Sequence, residues 1–153
     1  MVLDSIDARI LEVLQENARV SISELSKKIN LSLSAVSERL KKLESSGVIE
    51  QYTTILNPKA MDKNLHAMMM VSVDGLGDRK ELIRLVNESE EILECYFIAG
   101  PCDYILKVAT KDTNSLADLV MAVKAIKGVK TTETNIFLDC VKQEYSVAPT
   151  AGK

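Results

Sequence analysis

The stretch SISELSKKINLSLSAVSERLKKLESSGVI, residues 21–49, decides the fold. Ser21 and Glu24 stand at capping-box spacing, at which a hydroxyl and a carboxylate each satisfy an exposed backbone N–H at a helix start. Ile22, Leu25 and Ile29 follow at helical spacing. Asn30-Leu31-Ser32 breaks this helix, and a second one runs to a stop at Gly47. In the second helix Val36, Leu40 and Leu43 fall within an arc of roughly 60° at about 100° per residue, which makes them a buried stripe. The opposite side carries Ser34, Ser37, Glu38, Lys41 and Ser45, mostly short polar groups that let a helix sink into a major groove. Two helices joined by a three-residue turn predict a helix-turn-helix that reads double-stranded DNA. The candidate contacts are Ser32, Ser34, Ser37 and Glu38, with Arg39, Lys41 and Lys42 better suited to phosphates.

Outward from this device, Val48-Ile49 and the β-branched residues 51–55 predict a short strand or wing that ends at Asn57-Pro58. Upstream, Asp4 and Asp7 open a helix whose Ile6, Ile10, Leu11 and Leu14 form an apolar face to pack behind the other two.

The pattern Leu3-Asp4-x-x-Asp7-x-x-Ile10-Leu11, followed by Leu31-Ser32-x-Ser34-x-Val36-x-x-Arg39-x-x-x-Leu43-Glu44-x-x-Gly47-x-Ile49, resembles the leucine-responsive and asparagine-responsive (Lrp/AsnC) transcription regulators. The motif fixes many positions over its 47 residues, 3–49, and the rest of the chain has the length and strand order of that family's second domain.

At 153 residues the chain suits one medium domain or two small ones, and 46% apolar with 27% charged residues is ordinary for a soluble protein. Neither a membrane-spanning apolar run nor a secretory leader is present, which predicts a cytoplasmic protein with no membrane partner. Cys95, Cys102 and Cys140 are an odd number without CxxC spacing and read as reduced thiols. The net charge of −3 argues at first against a nucleic-acid partner. Its distribution answers the objection: residues 1–60 hold 8 basic and 8 acidic side chains, and residues 61–153 hold 11 and 14. Within residues 27–42, Lys27, Lys28, Arg39, Lys41 and Lys42 oppose only Glu38, a local charge of +4. That is modest for one domain acting alone, so several linked copies are expected to supply avidity.

Beyond a linker at residues 58–64, strands are predicted at 65–73, 92–99, 104–109 and 129–141, and helices at 78–88 and 115–126. Glycines 75, 77 and 128 mark turns. The order βαββαβ is the ferredoxin-like arrangement, with two helices on one face of a four-stranded antiparallel sheet. The fold class is therefore α+β: a winged helix-turn-helix domain at 1–57, a ligand-sensing domain at 65–147, and a flexible tail at 148–153. Met68, Met70, Tyr96, Ile98, Ile105 and Phe137 are available to either face, and an uncovered apolar face favours a homodimer. The resemblance implies dimers that assemble to tetramers or octamers, with a small amino-acid effector held between them.

The turn Gly100-Pro101-Cys102-Asp103-Tyr104 matches the family's Gly-x-x-Asp-Tyr loop. The resemblance implies that this loop, with Thr132 and Thr134 of the last strand, approaches the main-chain groups of a bound amino acid. Gly100 permits backbone geometry that other residues resist, and Thr132 and Thr134 share one side of a strand by period two. Asp118 and Met121, one turn apart on the nearby helix, are candidates for reading the effector's side chain, and Met121 favours an apolar one. Asp103 and the threonines equally suit an ordinary turn and an exposed strand.

No metal, cofactor or catalytic constellation is expected: His66 is the only histidine and has no partner by spacing, and the Met68–Met70 run reads as core plus dimer contact. The leading reading is a DNA-binding transcription regulator modulated by an amino acid. An effector-independent DNA-architectural protein and a tetrapyrrole decarboxylase of similar fold are the alternatives. The latter is weakened by the single histidine and the few basic residues of the second domain.

Overall fold

The computed structural model describes residues 2–75 and 79–152. Three helices come first, α1 (Ser5–Glu16), α2 (Ile22–Ile29) and α3 (Leu33–Ser45). A single 3-10 turn, Pro58–Met61, precedes β1 (Leu65–Val73), α4 (Arg79–Glu88), β2 (Ile92–Phe97), β3 (Tyr104–Thr110), α5 (Thr113–Ala125) and β4 (Val129–Ile136). The chain divides into two compact units, one formed by the residues up to 54 together with those from 142 onward, the other by Ile55–Val141.

The first unit is set by its caps. Asp4 accepts from the backbone N–H groups of Ile6 and Asp7 at 2.9 and 2.7 Å, and Asp7 returns the bond to the Asp4 N–H, so α1 opens on a complete capping box. Ser21 and Glu24 form the same reciprocal pair at α2, as their spacing predicts. Asn30 then takes left-handed backbone angles (φ 60°), ends α2 and turns the chain into Ser32, the N-cap of α3. Gly47 (φ +74°) ends the last helical turn, a conformation that is strained for a residue with a Cβ. Ile10, Leu25, Ile29, Val36 and Leu43 are buried together, and Ile6, Leu14, Leu31 and Leu40 pack around them. Each such side chain contributes on the order of 2 kcal/mol by leaving water.

The expected wing is not built as a strand. Residues 50–57 carry no regular structure, and Tyr52 is held instead by a 3.0 Å hydrogen bond from its hydroxyl to Glu44 of α3. β-branched composition makes a strand only where a second strand offers a ladder, and the described residues provide none here. The C-terminal tail also departs from expectation. It belongs to the first unit, where the Gln15 side-chain amide donates to the Val147 carbonyl at 2.7 Å and the Gly152 N–H to the Leu3 carbonyl at 2.9 Å. The segment expected as a linker is likewise tied down, in the second unit, by the Lys111–Asp62 and Lys63–Glu91 ion pairs at 3.0 and 3.6 Å.

The second unit is the expected βαββαβ sheet, in the order β2-β3-β1-β4 with every pair antiparallel. Ala67, Met69 and Val71 of β1 and Leu106 and Val108 of β3 point to one face, where Leu82 of α4 and Leu116, Leu119 and Val123 of α5 bury them. By period two the other face receives Met68, Met70, Ile105 and Tyr96, beside an ion pair between Lys107 and Glu94 at 2.7 Å. Ile98 and Phe137 lie outside the strands. The last strand ends at Ile136 rather than 141, because the bond from Phe137 N–H to the His66 carbonyl is the final rung beside β1, which itself begins at Leu65. β2 ends at Phe97 rather than 99: the Ile98 N–H makes one more in-register bond, to the Asp103 carbonyl at 2.9 Å, and the chain bends from residue 99 on. Gly77 and residue 78 lie outside the described residues.

Candidate nucleic-acid interface and effector groove

On α3, Ser34, Glu38, Lys41 and Lys42 are exposed and Ser37 is half-buried, so these five present one polar surface. Ser32 is spent locally. Its hydroxyl accepts from the Ala35 N–H at 3.2 Å and lies 3.1 Å from the Ser34 hydroxyl, which makes it a helix cap before it is a DNA contact. Lys27 and Lys28 are exposed at the end of α2. They help hold the Glu24 carboxyl below the usual range, after the larger effect of the Ser21 backbone and hydroxyl bonds.

Arg39 is not free to meet a phosphate. Its guanidinium bonds Asp7 at 2.6 Å and Asp4 at 2.7 Å, joining α3 to the capping box of α1. The Asp7 side chain is only 8% exposed, so this is a partly desolvated, charge-assisted clasp rather than a loose surface pair. The two aspartates raise the Arg39 pKa, and the Asp7 backbone bond, followed by Arg39, lowers that of Asp4. Residues 32 and 35 positions away in sequence carry this clasp, which periodicity along one helix cannot reveal. With Arg39 engaged, Lys27, Lys28, Lys41 and Lys42 against Glu38 leave +3 on this segment in place of +4.

In the second unit an open groove of about 440 Å³ runs between α5 and β4. Met121, Thr132 and Thr134 line it, as do Leu116, Val120, Lys124 and Ile136. Register decides this: Thr132 pairs with Val71 and Thr134 with Met69, so both threonines share the helix-covered face. The buried Thr132 hydroxyl has no hydrogen-bond partner among the described residues. Lys124, the one cation among the described residues that line the groove, was missed by sequence reading, although Leu116, Val120 and Lys124 recur at intervals of four along α5.

The remaining candidates are not brought into this groove. Asp118 is exposed on α5 and does not line it. Asp103 fastens its own loop: its carboxylate accepts from the Val73 N–H at 2.8 Å and its N–H donates to the Val71 carbonyl at 3.0 Å. Tyr104 is buried against Phe97, with ring centroids 5.2 Å apart. Gly100 does not use left-handed backbone angles; its constraint is the Ile98 side chain, whose Cδ1 would lie 3.3 Å from an added Cβ. The loop lends Pro101 and Cys102 to a smaller pocket of about 110 Å³ with Met70, Ser72, Thr131 and Glu133, on the opposite face of the sheet.

Residues 3–50 match the family model for winged helix-turn-helix DNA-binding domains, and residues 66–147 match that of the Lrp/AsnC ligand-binding domain. The chain belongs to the Lrp/AsnC family. It is 35% identical to the HTH-type transcriptional regulator FL11 of Pyrococcus furiosus over 142 residues, 93% of each chain. It is 36% identical to the leucine-responsive regulatory protein of Escherichia coli over 144 residues, 92% of this chain and 88% of that one. Its structure is similar to that of the Neisseria meningitidis transcriptional regulator NMB0573 in complex with L-Met, with a TM-score of 0.90, 33% identity, and coverage of 95% of this chain and 96% of that one. This Lrp/AsnC protein is therefore a DNA-binding transcription regulator with a ligand-binding domain, and not an enzyme. The decarboxylase reading is set aside by that membership. Among the described residues no helix is long and apolar enough to cross a membrane.

Proposed function

We propose that the protein reads operator DNA with α3 and that an amino acid with an apolar side chain, bound in the α5–β4 groove, modulates this binding. On α3, Ser34, Ser37 and Glu38 face base edges, Lys41 and Lys42 meet phosphates with Lys27 and Lys28 nearby, and Arg39 holds the helix in position through Asp4 and Asp7. The observation that carries the effector half is the buried, unpartnered Thr132 hydroxyl in a groove whose lining also includes the apolar Leu116, Val120, Met121 and Ile136. A polar group so placed is costly unless something bonds it, and a bound amino acid supplies both donors and acceptors. Lys124 suits the effector's carboxylate and the apolar wall suits its side chain, in keeping with the L-Met bound by the Neisseria relative.

The sheet face that carries Met68, Met70, Ile105 and Tyr96 is the proposed dimer surface, and larger assemblies multiply a DNA-binding surface that is weak in single copy. Effector binding acts through differential affinity for two states of the assembly. A thermal-shift screen against each standard amino acid tests the groove. At least one apolar amino acid is expected to raise the wild-type melting temperature but not that of Thr132→Val. A shift that survives in Thr132→Val and vanishes in Ser72→Ala would move the effector to the pocket beside Cys102.

A further inference from the structure

We propose that Leu33 is a specificity-determining residue, packing its exposed side chain against the 5-methyl group of a thymine in the major groove. The inference rests on α3 being the groove-reading helix. Four large apolar residues lie on α3, and three are used by the fold: Val36 and Leu43 are fully buried and Leu40 packs against them. Leu33 is 54% exposed and takes no part in that cluster.

Helix architecture does not explain it either. The residue before an N-cap commonly staples against the fourth helical residue; here those are Leu31 and Val36, which both belong to the core cluster. Leu33 is the first helical residue, beyond the Ser32 cap, and the N-terminal residues of a recognition helix are those that meet base edges. Its neighbours Ser32 and Ser34 are short, with their hydroxyls 3.1 Å apart, and leave the leucine exposed beside them. A leucine side chain offers neither donor nor acceptor. The one apolar feature that a base pair displays in the major groove is the thymine methyl group.

The experiment takes a binding site selected by the full chain from a random-sequence duplex pool and replaces each thymine in turn by deoxyuridine, which removes only the methyl group. The wild type should lose about fourfold in affinity at one thymine per half-site, the value for ~0.8 kcal/mol per buried carbon at 1.4 kcal/mol per tenfold. Leu33→Ser should bind the thymine and uracil duplexes alike at that position, and Leu33→Met should keep the difference. Ile22→Ser, which removes an exposed apolar group from the first residue of α2, should also keep it. A selected site without thymine, a wild type indifferent to every replacement, or a Leu33→Ser variant that retains the penalty overturns the assignment. If Ser34→Ala and Lys41→Ala also leave the selected sequence and affinity unchanged, the fault lies in α3 as the reading helix, and both readings fall together.

Discussion

The two units present their functional groups in opposite ways. In the first, the residues proposed to face DNA lie on one continuous helix, so the surface follows from helical period and from caps formed by residues three apart, such as Ser21 with Glu24. In the second, the groove is assembled from α5 and β4, and which side of a strand faces it depends on register with a third element, β1. A contiguous site is legible from sequence; a site made across a sheet is legible only as a set of options. Arg39 shows the limit on the contiguous side as well, because its partners lie on another helix.

The largest effect that separates the units should come from their cores. Leu106→Ala empties a fully buried position of the sheet and should cost about 2–5 kcal/mol of stability, measured by urea unfolding, with loss of any amino-acid-induced thermal shift. Next, Arg39→Ala should destabilise the protein by about 1–3 kcal/mol, since it leaves the largely buried Asp7 carboxylate without its cation. Lys41→Ala should change stability by less than about 0.5 kcal/mol, yet reduce the salt slope of DNA binding by about 1, while Arg39→Ala leaves that slope intact. Equal salt slopes in the two variants would undo the distinction between a positioning and a phosphate-contacting cation. The smallest effect is in acid. Asp4 has a folded pKa below its ordinary 3.8, so its contribution is complete above that value and is lost as pH falls from there through the lower folded value. Asp4→Asn should flatten this acid limb of the stability profile, because an amide oxygen still caps α1 while the titrating charge beside Arg39 is gone.

Several features were legible because their causes are local. The Ser21–Glu24 cap, the break at Asn30 and the stop at Gly47 follow from residues within a few positions of one another, whereas Ser32 reads as a DNA contact and serves as the cap of α3. The βαββαβ order follows from alternating patterns and turn residues. The features that differed depend on partners distant in the chain. Residues 51–55 have strand composition and no strand beside them, and β4 ends where β1 stops offering rungs. The tail at 148–153 looked frayed by composition but bonds Leu3 through Gly152, and Val147, expected in the second domain, bonds Gln15, each more than 130 residues earlier in the chain. In the effector set, Thr132, Thr134 and Met121 converge, whereas Asp103 and Tyr104 serve the loop and the core.

The most direct measurement is the affinity of the full-length protein for its selected duplex, by fluorescence anisotropy, with and without each standard amino acid, for the wild type and Thr132→Val in parallel. At least one apolar amino acid should change the wild-type Kd and leave that of Thr132→Val unchanged. A Kd indifferent to every amino acid, or an identical response in the variant, would contradict a regulator whose DNA binding is governed from the α5–β4 groove.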